Sequence, residues 1–385
     1  ARAVAAPRAL PAGETSETAE VRRLEATSPG AKHVKWTGLS YSDQYDEINA
    51  GGLDTSKPLP KPSPLKQADE EGAVRLPLSR GGAAASEVFA TVKTFLFKDR
   101  KWDFKDYSYA AVIVLMHVGC LAAPFTASWR MFGLFLASYF ATGCLGITLS
   151  YHRNLAHKSF VLPKPLEYLF AYCGAQAWQG DPMEWVSTHR YHHLHCETPL
   201  DPHTIYEGFW WSHVGWLLDW KVTERRTGDQ SNAKEMAEQP FYKHMQKHYS
   251  WHVAASLAIL FALGGLPALV WGGCLRVCWV WHITWFVNSA SHVWGSQDFA
   301  TGDQSRNNWW VGLLAFGEGW HNNHHAFDFS ARHGLRASQF DITWIIVRGL
   351  QALGFATKVR LPTEKAMQRL AVDPSNPVPL RTSFI

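Results

Sequence analysis

Four stretches of the chain contain no Asp, Glu, Lys or Arg: residues 107–125, 131–151, 251–271 and 277–297. Each approaches the roughly 20 residues that a helix needs to cross the hydrocarbon of a bilayer. The first two are joined through residues 124–130 and the last two through 272–276, connections too small to be domains. The pattern predicts an all-α membrane protein with four transmembrane helices in two hairpins. Everything substantial then lies on the side of the N-terminus, as a helical cap. Lys and Arg gather on that side, which the positive-inside tendency makes cytosolic or, in a plastid, stromal. A further apolar run, 166–178, is too short to span and reads as a partly embedded or core helix.

Residues 1–85 are rich in Ala, Pro, Gly and Ser and show little apolar periodicity. Such a composition buries too little surface to offset the entropy of ordering. Its first 13 residues carry Arg2 and Arg8 but no acid, which fits the remnant of an organelle transit peptide as well as a plain disordered tail. From Ser86 the spacing of Val88, Phe89, Val92, Phe95 and Leu96, with Lys93, Lys98, Arg100 and Lys101 among or after them, predicts an amphipathic helix over 86–106. It would lie on anionic lipid or pack on the rest of the protein. The membrane domain is then 107–360, with a C-terminal tail over 361–385.

The candidate chemistry is histidine. The chain has 19, and they cluster: His152 and His157 end the second stretch, His189, His192 and His193 follow, and His321, His324 and His325 come last. Asn288 and His292 stand four apart in the fourth stretch. Residues three and four apart share a helix face, so each cluster can converge on one centre; which metal each histidine would bind is left open. Two hairpins would bring all nine histidines and Asn288 to one depth. That set exceeds the four ligands of a zinc site and would give two metals about five ligands each. Imidazole suits Zn, Cu, Fe and Ni alike, so ligand type leaves the metal open. Only Glu318-Gly319-Trp320-His321 has Glu-x-x-His spacing, which disfavours a ferritin-like carboxylate centre. Asp201, Glu318 and Asp328 are candidates to accept the second ring N–H of a ligand histidine. His117, His195, His203, His213, His282 and His333 fall outside the clusters and read as structural or supporting.

Charge and cysteine change little. A net charge of +4 suits a membrane surface and is too small and dispersed for nucleic acid. The six cysteines lie mostly in apolar runs without CxxC spacing and read as reduced core residues, Cys196 beside the second cluster included.

In this order and among four spans, HxxxxH, HxxHH and HxxHH resemble the membrane fatty-acid desaturase family over about residues 100–350. GDPMEWVSTHRYHH from Gly180, GFWWSHVGWLLDW from Gly208, NSASHVWG from Asn288 and GEGWHNNHHAFDFSARHG from Gly317 look like its delta-9-type branch. HRNLAHKSF, with Ser187-Thr188 before HRYHH, is most similar to plant and algal plastid members, the palmitoyl-galactolipid delta-7 desaturases. The resemblance implies a di-iron centre with His152, His157, His189, His192, His193, His292, His321, His324 and His325 as ligands and Asn288 binding through a water. It also implies dioxygen as co-substrate, a cis double bond as product, and Gln179, Thr284 and Trp285 at the bend of an acyl tunnel. With no HPGG haem segment in the chain, the electron donor would be a separate protein: ferredoxin in a chloroplast membrane with the centre facing the stroma, or cytochrome b5 in the endoplasmic reticulum.

Two finer expectations concern the substrate. Ala141, 11 residues before His152 on one α-helical face and so about 16 Å away, is expected to close the tunnel. Asp219 and Trp220 stand where the acyl-CoA branch would carry an Arg-Lys pair, and Ser187, Thr188, Trp210, Trp211 and Trp220 suit an uncharged galactolipid head. If Lys221, Arg225 or Arg226 took over the phosphate role, the chain would instead be an acyl-CoA delta-9 desaturase. A membrane hydroxylase shares the histidine pattern and differs in product. A metal transporter or sensor would place ligands near mid-membrane rather than at span ends.

Overall fold

The computed structural model describes residues 102–373, apart from Pro199, Asp229 and the side chain of Arg225. The expected segment 1–85, most of the expected amphipathic helix and the end of the tail lie outside the described residues. Helix α1 (Phe104–Cys120) has its own start: the Asp103 carboxylate accepts from the Lys105 and Asp106 backbones while Asp106 accepts from the Asp103 N–H, a reciprocal cap. Asp103, in the expected amphipathic segment, is therefore extended, and residues 104–106 already belong to α1.

Helix α2 (Trp129–Tyr139) is capped by Ser128 and continues through a wider, π-type stretch, Phe140–Ala156. The bond from His157 N–H to His152 C=O, five residues back, closes it. Helix α3 (Lys164–Ala175) crosses this stretch with almost no gap. A Cβ on Gly146 would lie 2.4 Å from the Gly174 nitrogen, so only glycine allows the two backbones to approach this closely. At 12 residues α3 is the core helix expected near 166–178. Helix α4 (Pro182–His195) starts at Asp181, whose carboxylate accepts from Met183 and Glu184, and α5 (Trp220–Thr227) starts at Asp219 in the same way.

Helix α6 (Pro240–Ala268) is broken at Gly265, where φ is +62°. The chain folds back there through Leu269–Leu275 into α7 (Arg276–Asn288). Gly272 meets Leu260, Gly273 meets Leu257, and Gly119 of α1 meets Cys274. The expected third and fourth apolar stretches are thus two arms lying side by side, with α1 along the returning one. Two helices, Trp129–Ala156 and Pro240–His292, are long and apolar enough to cross a membrane. Short helices follow: α8 (His321–Ala326), α9 (Ile342–Ala352) and α10 (Glu364–Leu370). Among the described residues there is no strand, only isolated bridges such as Val161 with Thr357. Tyr151, Met183 and Tyr242 share one buried core, so α2, α4 and α6 hold the histidine-bearing segments against one another.

Candidate metal centre

The clustered histidines meet, but not cluster by cluster. His152, His157, His189, His193 and His324 form one group of ring nitrogens, and His192, His292, His321 and His325 form a second. In the first, Nε2 atoms approach at 2.8 Å (His157 to His189), 3.1 Å (His152 to His324) and 3.0 Å (His193 to His324). In the second, the Nε2 atoms of His292 and His321 are 3.0 Å apart.

Which group each histidine joins, left open by the sequence, follows from the fold: neither HxxHH box serves a single group. On α4, His189 and His193 go to the first group and His192 to the second; on α8, His324 goes to the first and His321 and His325 to the second. The reason is helical geometry. Residues four apart lie about 40° apart around the axis, whereas adjacent residues splay by about 100°. One box can thus bridge two centres.

Behind the rings stand carboxylates. His152 Nδ1 lies 2.6 Å from Glu318, His192 Nδ1 2.9 Å from Asp201, His292 Nδ1 3.1 Å from Glu197 and His325 Nδ1 2.9 Å from Asp303. His157 Nδ1 faces Asp328 at 3.7 Å. A ring that donates Nδ1–H outward turns a bare Nε2 lone pair inward. Two such lone pairs 3 Å apart repel one another unless a cation lies between them. The buried Nε2 of His325 has no hydrogen-bond partner. Burial, reinforced by neighbouring imidazoles, holds His157, His189, His193, His321 and His324 well below the usual histidine range. That direction favours the neutral imidazole, the state in which histidine binds a metal. This donor set fits two cations of the imidazole-binding class.

Asp201, Glu318 and Asp328, expected as partners, stand behind ligand candidates as the sequence suggested. Glu197 and Asp303 were not anticipated. Glu197 adopts a left-handed backbone (φ +58°) and its carboxylate also accepts from the Gln304 N–H. Neither residue belongs to a motif; only its place four residues past His193 could have drawn attention to Glu197. Glu318 is further held by buried Arg153, which also pairs with Asp341. Burial alone would raise Glu318, but Arg153, His333 and His152 keep it far below the usual carboxylate range. Of the remaining histidines, His333 backs onto Glu318 and His203 lies against His192. His117, His282 and His213 form a separate hydrogen-bonded row ending at Ser289, and His195 stacks on Tyr191.

A cavity of about 610 Å³ reaches the histidines, lined along its length by Trp178, Trp216, Trp220, Trp281 and Trp285 and touching His189 and Asn288. Its volume lies in the range of small-molecule sites. A smaller void of about 40 Å³ is lined by His152, His189, His192 and His321 together with Gly143, Ile147 and Thr148. The two voids share Trp185, His189, Thr284 and Asn288. At this junction Gln179 donates to Thr284 Oγ1 (2.9 Å) and accepts from Trp185 Nε1 (3.1 Å). Gln179, Thr284 and Trp285 line the cavity; half-buried Ala141 lines neither void. The π-type stretch explains this. With i→i+5 bonding each turn takes in roughly one residue more than an α-helix, so the face of His152 returns at Thr148 and Ile147 and then at Gly143.

A family model for fatty acid desaturase matches residues 127–339. The chain is similar to the chloroplastic palmitoyl-monogalactosyldiacylglycerol delta-7 desaturase of Arabidopsis thaliana, at 55% identity over 71% of this chain and 74% of that protein. It is also similar to the icosanoyl-CoA 5-desaturase of Limnanthes douglasii (46% identity; 82% of this chain, 86% of that protein) and to delta-9 acyl-lipid desaturase 1 of Arabidopsis thaliana (47%; 71% and 90%).

Proposed function

Because the chain belongs to the fatty acid desaturase family and is a fatty-acyl desaturase, we propose that it inserts a cis double bond into a palmitoyl chain of a plastid galactolipid at a di-iron centre. His152, His157, His189, His193 and His324 would hold one iron. His192, His292, His321 and His325 would hold the other, with Asn288 through a water. Bound there, two irons would supply the reduction of dioxygen that removes hydrogens from an unactivated methylene pair, chemistry beyond any side chain.

The observation that carries this reading is the junction of the two voids at the histidines. An acyl chain threaded through the cavity would pass the metal groups and end between Gly143 and Ile147. The Gln179, Thr284 and Trp185 bridge, tied together by hydrogen bonds, would fix the bend that presents one carbon pair. The indoles of Trp178, Trp281 and Trp285 would give the acyl chain an apolar wall. Glu318, Asp201, Glu197 and Asp303 accept the outer ring N–H groups and so hold each imidazole in its ligating tautomer. Iron analysis of the purified protein tests this reading: about two irons per chain are expected, and a metal-free active enzyme would overturn it.

The lining of the cavity's wide end supports a galactolipid over a coenzyme A ester. Ser108, Ser187, Thr188, Thr223, Thr227 and Gln230 offer hydroxyl and amide partners there, beside Glu184 and Glu224. Among the described residues that line it none is Lys or Arg, the usual phosphate partners. Asp219 is the cap of α5, Lys221 is within 3.7 Å of Asp103, and Arg226 is paired with Glu207 at 2.5 Å. The names of the Limnanthes relative and of two Anemone leveillei relatives keep an acyl-CoA substrate as the second reading. Palmitoyl-galactolipid and palmitoyl-CoA supplied to the enzyme with reduced ferredoxin decide between them. Faster turnover of the CoA ester, or activity only with cytochrome b5, would overturn the first.

The setting is proposed to be a plastid membrane, as the chloroplastic relatives suggest, crossed four times in two hairpins with the centre on the stromal side. Exposed Val114, Leu115 and Val118 on α1, Phe132 and Leu136 on α2, and Phe261 and Leu263 on α6 fit a lipid-facing belt. Residues 107–360 would be the membrane domain. Protease protection in sealed membranes tests the arrangement: cleavage of both termini from the same side is expected.

A further inference from the structure

Three histidines outside the metal groups form a row whose hydrogens can be counted. His117 Nδ1 lies 2.7 Å from the Ile113 carbonyl, His117 Nε2 3.0 Å from His282 Nε2, His282 Nδ1 3.1 Å from His213 Nε2, and His213 Nδ1 2.9 Å from Ser289 Oγ. Ser289 Oγ in turn donates to the Trp285 carbonyl at 2.9 Å. These are five links, and each needs one hydrogen. Both ends are carbonyl oxygens, which bring none, while three neutral imidazoles and one hydroxyl bring four. The row is complete only with a fifth, which makes one ring an imidazolium. The direction of the bonds then follows: with Ser289 donating to Trp285, His213 must donate to Ser289, His282 to His213, and His117 to both of its partners. The added proton therefore rests on His117. Burial, with the His282 ring beside it, pushes the His213 ring down to about 3, which suits a group that passes a proton on and does not keep it. The segments that carry the row, 107–120, 208–218 and 277–288, contain no Asp, Glu, Lys or Arg. The other titratable side chains in the apolar core beside it are Cys120, Cys274 and Cys278. No fixed carboxylate on these segments traps the proton at one ring.

The two ends of the row differ. His117 is half-buried, and its acceptor Ile113 lines the large cavity. Ser289 is fully buried and next in the chain to Asn288, which lines both voids; Ser212, beside His213, donates to the Asn288 carbonyl at 2.8 Å. We propose that the row is a proton relay, a role that rests on reading the nine-histidine centre as oxygen-reducing: it holds one proton at His117 and yields one at Ser289, beside the centre. Removing two hydrogens from an acyl chain while dioxygen becomes two waters takes two electrons from the donor protein and two protons. The row supplies protons one at a time while the acyl chain occupies the cavity. In each passage His117 gives its Nε2 hydrogen to His282, His282 gives its Nδ1 hydrogen to His213, His213 gives its Nδ1 hydrogen to Ser289, and Ser289 gives up its own. His117 is the end that reloads.

The test uses full-length, iron-loaded protein in lipid nanodiscs with a reduced donor protein. His117→Gln and His282→Gln keep a hydrogen-bonding side chain but cannot take a proton at one atom and release it from another. Each should lower kcat at least tenfold at unchanged KM and iron content, and raise the solvent deuterium isotope effect on kcat. Each should also abolish the loss of turnover that the unmodified enzyme shows as pH rises and the row sheds its proton. Ser289→Ala opens the row at its inner end without removing a ring and should raise the isotope effect in the same way, so a folding defect in one histidine variant does not decide the outcome. His244→Gln, at an exposed position of α6, should change none of these. Unchanged kcat in the three row variants would overturn the relay. So would a lower kcat with the isotope effect and pH profile of the unmodified enzyme, which is what a merely structural row would give. Iron content and desaturation of the unmodified protein separate failure here from failure of the centre.

Discussion

The two histidine groups are built from the same helices, α4 and α8, yet differ in what stands behind them. In the four-histidine group three of four rings rest on a carboxylate: His192 on Asp201, His292 on Glu197 and His325 on Asp303. In the five-histidine group His152 rests on Glu318 and His157 faces Asp328. An outer carboxylate raises the basicity of its imidazole, so the group with fewer rings has the stronger ones. The four-histidine group includes His292, four residues from Asn288 in the chain, and both groups line the inner void with Asn288.

That asymmetry can be broken outright. His324→Ala and His192→Ala remove one ring from each group, and both should abolish desaturation while the protein still inserts in membranes; full activity in either variant refutes its place in the centre. Next in size come the carboxylates. Asp201→Asn, Glu197→Gln and Asp303→Asn should each lower metal affinity or turnover about 10–100-fold, measured by iron retention against a chelator. If these three cost no more than a surface change, the outer layer has been misread. Asn288→Ala, removing the proposed indirect ligand, should fall short of any of them.

The cavity ends give a smaller effect. Gly143→Leu fills the inner void and should shift preference toward shorter acyl chains, whereas Ala141→Trp should leave the profile unchanged. The opposite pattern in the lipid products would mean that the π-type register is wrong. Smallest is a pH effect at the wide end. Burial, with Asp181 nearby, pushes the Glu184 carboxyl up to about 7, above its ordinary 4.5. Between those values the folded protein holds a proton that the unfolded chain has released, so Glu184's contribution to stability falls as pH rises through that window. Glu184→Gln should flatten this part of the melting-temperature profile between pH 5 and 8; an unchanged slope would exclude Glu184 as its source.

Much of this was legible in the sequence, and what was not has physical reasons. The apolar stretches appear as arms because uncharged runs of that length have few alternatives, and the fold-back at Gly265 turns 251–271 and 277–297 into neighbours. The nine histidines were legible because repeated His spacing has no common structural use. Their division was not read, although the 100° between adjacent helix positions contains it. Ala141 was placed by a 3.6-residue period, whereas this stretch hydrogen-bonds five residues apart and turns Gly143 to the inner void instead. Glu197 and Asp303 were invisible because a lone carboxylate in a loop carries no spacing; only the folded chain brings Asp303 to His325.

The division of the histidines is tested most directly by iron-edge anomalous scattering from crystals of the iron-loaded protein. Two separate peaks are expected, one bonded to His193 Nε2 and the other to His192 Nε2, although the two residues are adjacent in the chain. A single peak, or two peaks with both imidazoles on the same iron, would contradict it.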